Sequence, residues 1–490
     1  VLTLRLTELP RPGLPLAYPA IPGEPLPPAY AAVAAAAGFE AGRGGALRLD
    51  GVVQGRPAWL VGVAPGPHGM EAAGALAAAS LAGEGPDGPR HAVIDARGLA
   101  PAEVAALAMG AGMRSHRLPF LGAEPPPALR QLDLLVEDAA AAEPALARVR
   151  AVLRGTGLAR DLAAEPGNRL SPRDFADRLG ELEGHGIEVV VHGRHWLERH
   201  GYGGLLAVGR GSAHPPRLVV LRWPGHGPGG TPPVAFVGKG ITFDTGGISI
   251  KPAAGMEAMK GDMAGAAACA GAMLALALRD SPAPALAVLA IAENATDGDS
   301  YRPGDVLRMG SGTTVEVVDT DAEGRLVLAD ALHHARRQEP RAIIDLATLT
   351  GSIVRALGHQ RAGLFGNDAG LRDAAMAAGE AVGEPLWPMP IGEGHRRDLE
   401  SDIADLRHCL PAGGGGGWAG KFLPDACHAA AFLREFACPE GAPHIPWAHL
   451  DIAGMDLREE GVESGPYPLP PGPSGFGVRL LDRLVADRFE

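Results

Sequence analysis

The stretch VGKGITFDTGGISIKP (Val237 to Pro252), with MKGDMAGAA (Met259 to Ala267) and DTDAEGRLVLADAL (Asp319 to Leu332) downstream of it, decides how the chain is read. It sets four carboxylates, Asp244, Asp262, Asp321 and Glu323, among Gly, Ala and other small residues rather than in the charged runs of a solvated helix face. PVAFVG (Pro233 to Gly238) reads as a buried strand, which places Asp244 just past its end, and the glycines of TGG give a tight turn that brings Lys251 back toward it. TVEVVD (Thr314 to Asp319) reads as a second strand, leaving Asp321 and Glu323 before a helix over Gly324 to Arg337. In extended chain their i, i+2 spacing points both side chains the same way. Asp262 falls at or inside a helix over Met256 to Leu278.

Lysine usage sharpens the picture. The chain has 44 Lys plus Arg, yet its only lysines are Lys239, Lys251, Lys260 and Lys421. Arg stays protonated and forks, whereas Lys is a compact amine whose pKa shifts readily, so a site that needs an amine keeps Lys. Lys239 and Lys251 are candidates for that role; Lys260 reads as structural.

Working outward, GIEVVV (Gly186 to Val191), RLVVLRW (Arg217 to Trp223), ALAVLAIAE (Ala285 to Glu293) and AIIDLATL (Ala342 to Leu349) add strands between helical segments. That alternation predicts an α/β fold with a central mixed sheet flanked by helices, whose ligands gather beyond the carboxyl ends of the strands. Residues 1–140 alternate strands and Ala-rich helices in a smaller N-terminal α/β domain, with the Pro-rich segments Pro10 to Pro28 and Pro119 to Pro127 as loops or edges. Residues 141–160 read as a connecting helix, and 161–490 as the larger catalytic domain.

Composition narrows the function. A net charge of −13 and a pI near 5.7 argue against a nucleic-acid-binding surface, which needs clustered basic residues. Cys269, Cys409, Cys427 and Cys438 show neither CxxC nor zinc-finger spacing, consistent with a reducing cytosol. No signal peptide is expected from VLTLRLTELPRPG. No membrane span is expected either, because the apolar run Met263 to Leu278 is short.

Four carboxylates converging in a small-residue pocket repel one another unless cations neutralise them. Two divalent metals are the economical solution: bridged about 3.5–4 Å apart, such a pair polarises a carbonyl and acidifies a water. With no His or Cys among these positions the set is oxygen-rich and suits Mn, Mg or Zn. The residues alone thus indicate a dimetal hydrolase.

These motifs, together with AENATDGDSYRPGDV (Ala292 to Val306), LATLTGSIVRALG (Leu346 to Gly358) and PWAHLDIAG (Pro446 to Gly454), resemble the leucyl aminopeptidase (cytosol aminopeptidase) family of dimetal exopeptidases. The resemblance spans roughly Asp161 to the C-terminus. It implies that Asp244 and Glu323 bridge both metals, that Asp321 completes one site, and that Lys239 and Asp262 complete the other. Lys251 would stabilise the oxyanion, and Arg325 would hold a bicarbonate or water that takes the nucleophile's proton. The peptide's free α-amine would bind one metal and Asp262, with Met259 and Thr348 lining a mostly apolar side-chain pocket. The implied protein is a cytoplasmic metallo-exopeptidase using two Mn or Zn ions to trim N-terminal residues, leucine or others, from short peptides. It would assemble as a homohexamer.

Asp319 stands where this family usually has Asn, Thr245 where Ser is common and Ala264 where Gly is common. A larger departure is the run from Ala412 to Phe436, with Gly413 to Gly417 and Lys421, where the family usually turns through Arg-Gly into a helix. Two competing readings are a dimetal hydrolase acting on another bond, and a divergent scaffold or DNA-accessory protein that has kept the fold.

Overall fold

The computed structural model describes residues 2–49, 52–53, 56–83, 88–119, 121–122, 129–226, 233–411, 425–462 and 464–490. Gly413 to Gly417 and Lys421 lie outside the described residues. The chain divides into two compact units, Val1–Gly157 with Glu463–Pro471, and Leu158–Val462 with Gly472–Glu490. The helix Ala139–Ala164 runs through the division, longer at its C-terminal end than the connecting helix that the sequence suggests.

The first unit holds a six-stranded sheet in the order Thr3–Thr7, Gln131–Leu135, His91–Asp95, Leu16–Ala20, Ala58–Gly62, Ala46–Arg48. Only the last strand is antiparallel to its neighbour. Leu16–Ala20 corrects the expectation of a Pro-rich loop or edge, because it is an interior strand. Its pairing with His91–Asp95 stops at Ala17, while its pairing with Ala58–Gly62 continues to Ala20, so Pro19 sits where one neighbour has already left the ladder.

The second unit is built on an eight-stranded mixed sheet, ordered Leu386–Pro388, Ala362–Gly366, Trp447–Asp451, Ala342–Ala347, Val234–Asp244, Ala285–Asn294, Arg217–Trp223, Glu188–His192. The four strands Trp447–Asp451, Ala342–Ala347, Val234–Asp244 and Ala285–Asn294 run parallel in the middle, with antiparallel strands on either side. Successive side chains of the central strand serve opposite cores. Phe236 packs with Ala287, Leu289 and the helix Ala264–Leu278, while Val237 packs with Val288, Ile343 and the helix Glu323–Arg336. Burial on both faces explains why these strands read as continuous apolar runs without alternation.

Three local expectations change. The central strand does not end at Gly238. Its pairing with Ala342–Ala347 stops there, but its pairing with Ala285–Asn294 continues through a bulge to Asp244, so Asp244 is the last strand residue rather than the first loop residue. The helix expected over Met256 to Leu278 is two pieces, a 3-10 helix Met256–Gly261 and an α-helix Ala264–Leu278, with Asp262 at the joint. Asp321 lies in a turn and Glu323 opens the helix Glu323–Arg336, so a turn running into a helix, not extended chain, aims that pair.

Taken together, the two pieces Met256–Leu278 are long and apolar enough to cross a membrane by length and composition, and 78% of that apolar window is buried inside the protein, as in a core helix.

Candidate metal centre

The four carboxylates and two of the lysines meet beyond the carboxyl ends of the parallel strands, where the topology puts a crevice. Asp244 ends the central strand, Asp262 sits at the helix joint beside it, and Asp321 and Glu323 arrive on the turn and helix that follow Thr314–Glu316. Among the described residues, Asp244, Asp262 and Glu323 form a group whose ligand oxygens all lie within 4.8 Å of one another.

Two ammonium groups thread the cluster. Lys239 Nζ lies 2.8 Å from Asp262 Oδ1 and 3.0 Å from Glu323 Oε1, and donates to Thr348 O at 2.9 Å. Lys251 Nζ lies 2.8 Å from Asp244 Oδ2 and also pairs with Asp321. Small residues make room for both. Gly246 and Gly247 have φ of +86° and +65°, a reversal that returns the chain so that Lys251 N donates to Thr245 O at 2.9 Å. A Cβ on Gly324 would lie 2.8 Å from Lys239 Nζ, so any side chain there would collide with the amine.

Charge and burial leave the set under strain. Burial pushes the carboxyls of Asp244 and Asp262 up, with neighbouring carboxylates adding to the effect and the lysines opposing it. Burial and Asp244 push Asp321 to about 7. Burial works against the charge of Glu323, but Lys239 and Lys251 outweigh it and hold that carboxyl below its ordinary range. Burial likewise opposes the charge on both lysines, yet Asp262, Glu323 and Asp244 raise Lys239, and Asp244 and Asp321 raise Lys251.

Two ammonium groups do not balance four carboxylates. Among the described residues, the buried oxygens Asp262 Oδ2 and Glu323 Oε2 have no hydrogen-bond partner. Unpaired buried carboxylate oxygens are costly, and a hard divalent cation is the partner that such an all-oxygen set would take. The residues therefore fit a divalent metal centre.

Several supporting residues besides Thr348, which the resemblance names, gave no signal of their own in the sequence. Asn294 Nδ2 donates to Asp244 Oδ1 at 2.8 Å and to Thr320 O at 3.0 Å, while Tyr301 OH donates to Thr320 O at 2.9 Å. Thr348 Oγ1 donates to Asp262 Oδ1 at 2.7 Å, so one residue holds both Lys239 and Asp262. The loop that carries Thr348 is pinned from below by the buried Asp451. Its carboxylate accepts from Leu349 N at 3.1 Å and Thr350 Oγ1 at 2.7 Å. Asn294 and Asp451 lie inside the AENATDGDS and HLDIAG segments, but only the sheet register shows that both reach the same end of it. Asp451→Ala should lower kcat about 10–100-fold with a smaller change in KM, as loss of an orienting partner does, and steady-state kinetics will check it. Asp319, the additional carboxylate, is not in the ligand group; its Oδ1 accepts from Asp321 N at 2.9 Å and shapes the turn.

Lys239, Lys251 and the four carboxylates line a cavity of about 470 Å³ together with Met259 and Thr348. Arg325 is buried but outside that lining. Its Nη1 donates to His408 O at 2.9 Å and its Nη2 to Asp425 Oδ1 at 2.8 Å, leaving Nε buried without a partner. Lys260 is neither in the cavity lining nor paired with the cluster.

Comparison with known proteins agrees with this geometry. The model of the cytosol aminopeptidase family catalytic domain matches residues 157–482. A probable cytosol aminopeptidase of Brucella ovis is 45% identical over 396 residues, covering 79% of this chain and 76% of its own. One of Caulobacter vibrioides is 44% identical over 397 residues, covering 80% and 77%. Among solved structures, the bottromycin maturation enzyme BotP in complex with Mn superposes with a TM-score of 0.85 at 34% identity, over 98% of this chain and 100% of that one. A carboxylate cluster at the ends of parallel strands and relatives that span most of the chain lead to one conclusion: it belongs to the cytosol aminopeptidase family and is a metal-dependent aminopeptidase.

Proposed function

We propose that the protein removes N-terminal residues from short peptides, with Asp244, Asp262, Asp321, Glu323 and Lys239 holding two divalent metal ions. The observation that carries this reading is the pair of buried oxygens, Asp262 Oδ2 and Glu323 Oε2, left without hydrogen-bond partners inside a cluster of carboxylates. Manganese or zinc suits such a donor set. When bound, the ions supply Lewis-acid polarisation of the scissile carbonyl and a nucleophile at neutral pH.

The chain's own residues divide the remaining work. Asp262 would accept from the peptide's free α-amine, which restricts cleavage to the first residue. Lys251 would donate to the carbonyl oxygen as negative charge grows there, a contribution worth most in a site closed to water. Arg325 Nε, buried and unpartnered, is the donor left over for a bound bicarbonate or water that receives the nucleophile's proton. Met259 and Thr348 would flank the first side chain. A cytoplasmic homohexamer, with residues 161–490 as the catalytic domain and 1–140 as an accessory one, completes the reading.

Capping the amine tests it. A tetrapeptide with leucine first should lose that residue in the presence of Mn²⁺, and its N-acetylated twin should show no measurable cleavage when both are followed by mass spectrometry. Equal cleavage of the two would rule out amine-anchored exopeptidase action and favour a hydrolase of another kind.

A further inference from the structure

We propose that the cavity beside the carboxylate cluster is built for a first residue with a cationic side chain, arginine or lysine, which Asp456 recognises. This rests on the aminopeptidase reading and deepens it by naming the substrate class. Away from the cluster the cavity wall is partly polar. Its ionisable residues there are Asp456, Glu459 and His359. Ionised, both carboxylates can only accept hydrogen bonds. His359 Nδ1 donates to Gly454 O at 2.8 Å, a carbonyl that can only accept. The lysines of the lining, Lys239 and Lys251, are engaged by the cluster, and the hydroxyls of Thr348 and Thr350 donate to Asp262 and Asp451.

A wall that offers acceptors, with no arginine among the described residues of its lining, is complementary to a side chain that brings donors and positive charge. Asp456 is well placed to anchor one. Its Oδ2 would sit 3.7 Å from a Cβ on Gly261, so the carboxylate lies against the residue next to Asp262 and within a side chain's reach of the cluster. Backbone N–H groups of Gly454 and of Asp456 itself hold the carboxylate in place, and burial pushes its pKa up to about 6 although those N–H groups and Lys239 oppose the shift. Met259, Leu349, Val354 and Leu457 supply apolar wall for the methylene stem of a long cationic side chain. A mostly apolar pocket, as the family resemblance implies, would not place a half-buried carboxylate there.

The full-length protein loaded with Mn²⁺, assayed on the 4-nitroanilides of arginine, lysine, leucine and norleucine, tests the proposal. Arginine and lysine should exceed leucine and norleucine in kcat/KM by about tenfold or more, mainly through KM, and the advantage should shrink as ionic strength rises. Asp456→Asn should cut the arginine-to-leucine ratio by about tenfold, and Glu459→Gln, at an exposed residue, should lower it by a smaller factor in the same direction. A wild-type preference for leucine, or a ratio unmoved by Asp456→Asn, would overturn the proposal while leaving the aminopeptidase reading in place. Failure to cleave any of the four would overturn that reading itself.

Discussion

Glu323→Gln is expected to lower kcat/KM for leucine amide by about a thousandfold in saturating Mn²⁺ without unfolding the protein. A metal centre contributes several kcal/mol of transition-state stabilisation, and each 1.36 kcal/mol is a factor of ten. Glu323 is 1% exposed and opens the helix Glu323–Arg336. Its Oε1 pairs with Lys239 at 3.0 Å and its Oε2 has no partner. Glutamine keeps the shape and can still accept from Lys239. It removes the negative charge and can turn an N–H₂ group toward Asp244 and Asp262, where a cation is expected. Helix content by circular dichroism should be unchanged, so any loss belongs to the site. Retention of activity within about tenfold would mean that Glu323 is a helix-opening residue and no ligand.

The second large effect concerns stability. Lys239→Met, unfolded by guanidinium with EDTA present, should be about 3–5 kcal/mol less stable than the wild type, the usual consequence of removing one partner from a buried ion pair. Lys239 is 3% exposed, and its ammonium faces Asp262, Glu323 and the Thr348 carbonyl together. Methionine fills nearly the same volume, so the loss reports charge rather than a cavity. The variant leaves the oxygens of Asp262 and Glu323 that Lys239 met uncompensated inside a set of four carboxylates. A loss below about 1 kcal/mol, the range of an exposed pair, would show that the cluster is solvated and that its lysine was kept for another reason.

Legibility in the sequence followed the physics of each signal. Asp244, Asp262, Asp321 and Glu323 could be picked out because acidic residues among Gly and Ala have no solvated face to decorate, and Lys239 and Lys251 because lysine is scarce in this chain. The mixed sheet was readable from strands that alternate with helices. Pairing was not, and pairing is what extends the central strand to Asp244 and makes Leu16–Ala20 an interior strand. The joint at Asp262 was hidden because an apolar, Ala-rich run reads as one helix whether or not its first turn is 3-10. Asn294, Thr320 and Asp451 were invisible as site residues for a related reason: each acts through hydrogen bonds to groups distant in sequence, which only the register brings together. Asp456 and His359 carried no sequence signal at all. A lone acidic residue and a lone histidine are ordinary until a cavity is seen to run past both.

The claim on which the rest depends is that this cluster binds divalent cations. The direct measurement is metal content, by mass spectrometry of the desalted protein after equilibration with Mn²⁺, for the wild type and for Asp244→Asn. The account predicts two ions per chain in the wild type and fewer in the variant. An ion-free wild type, or equal occupancy in both proteins, would contradict it.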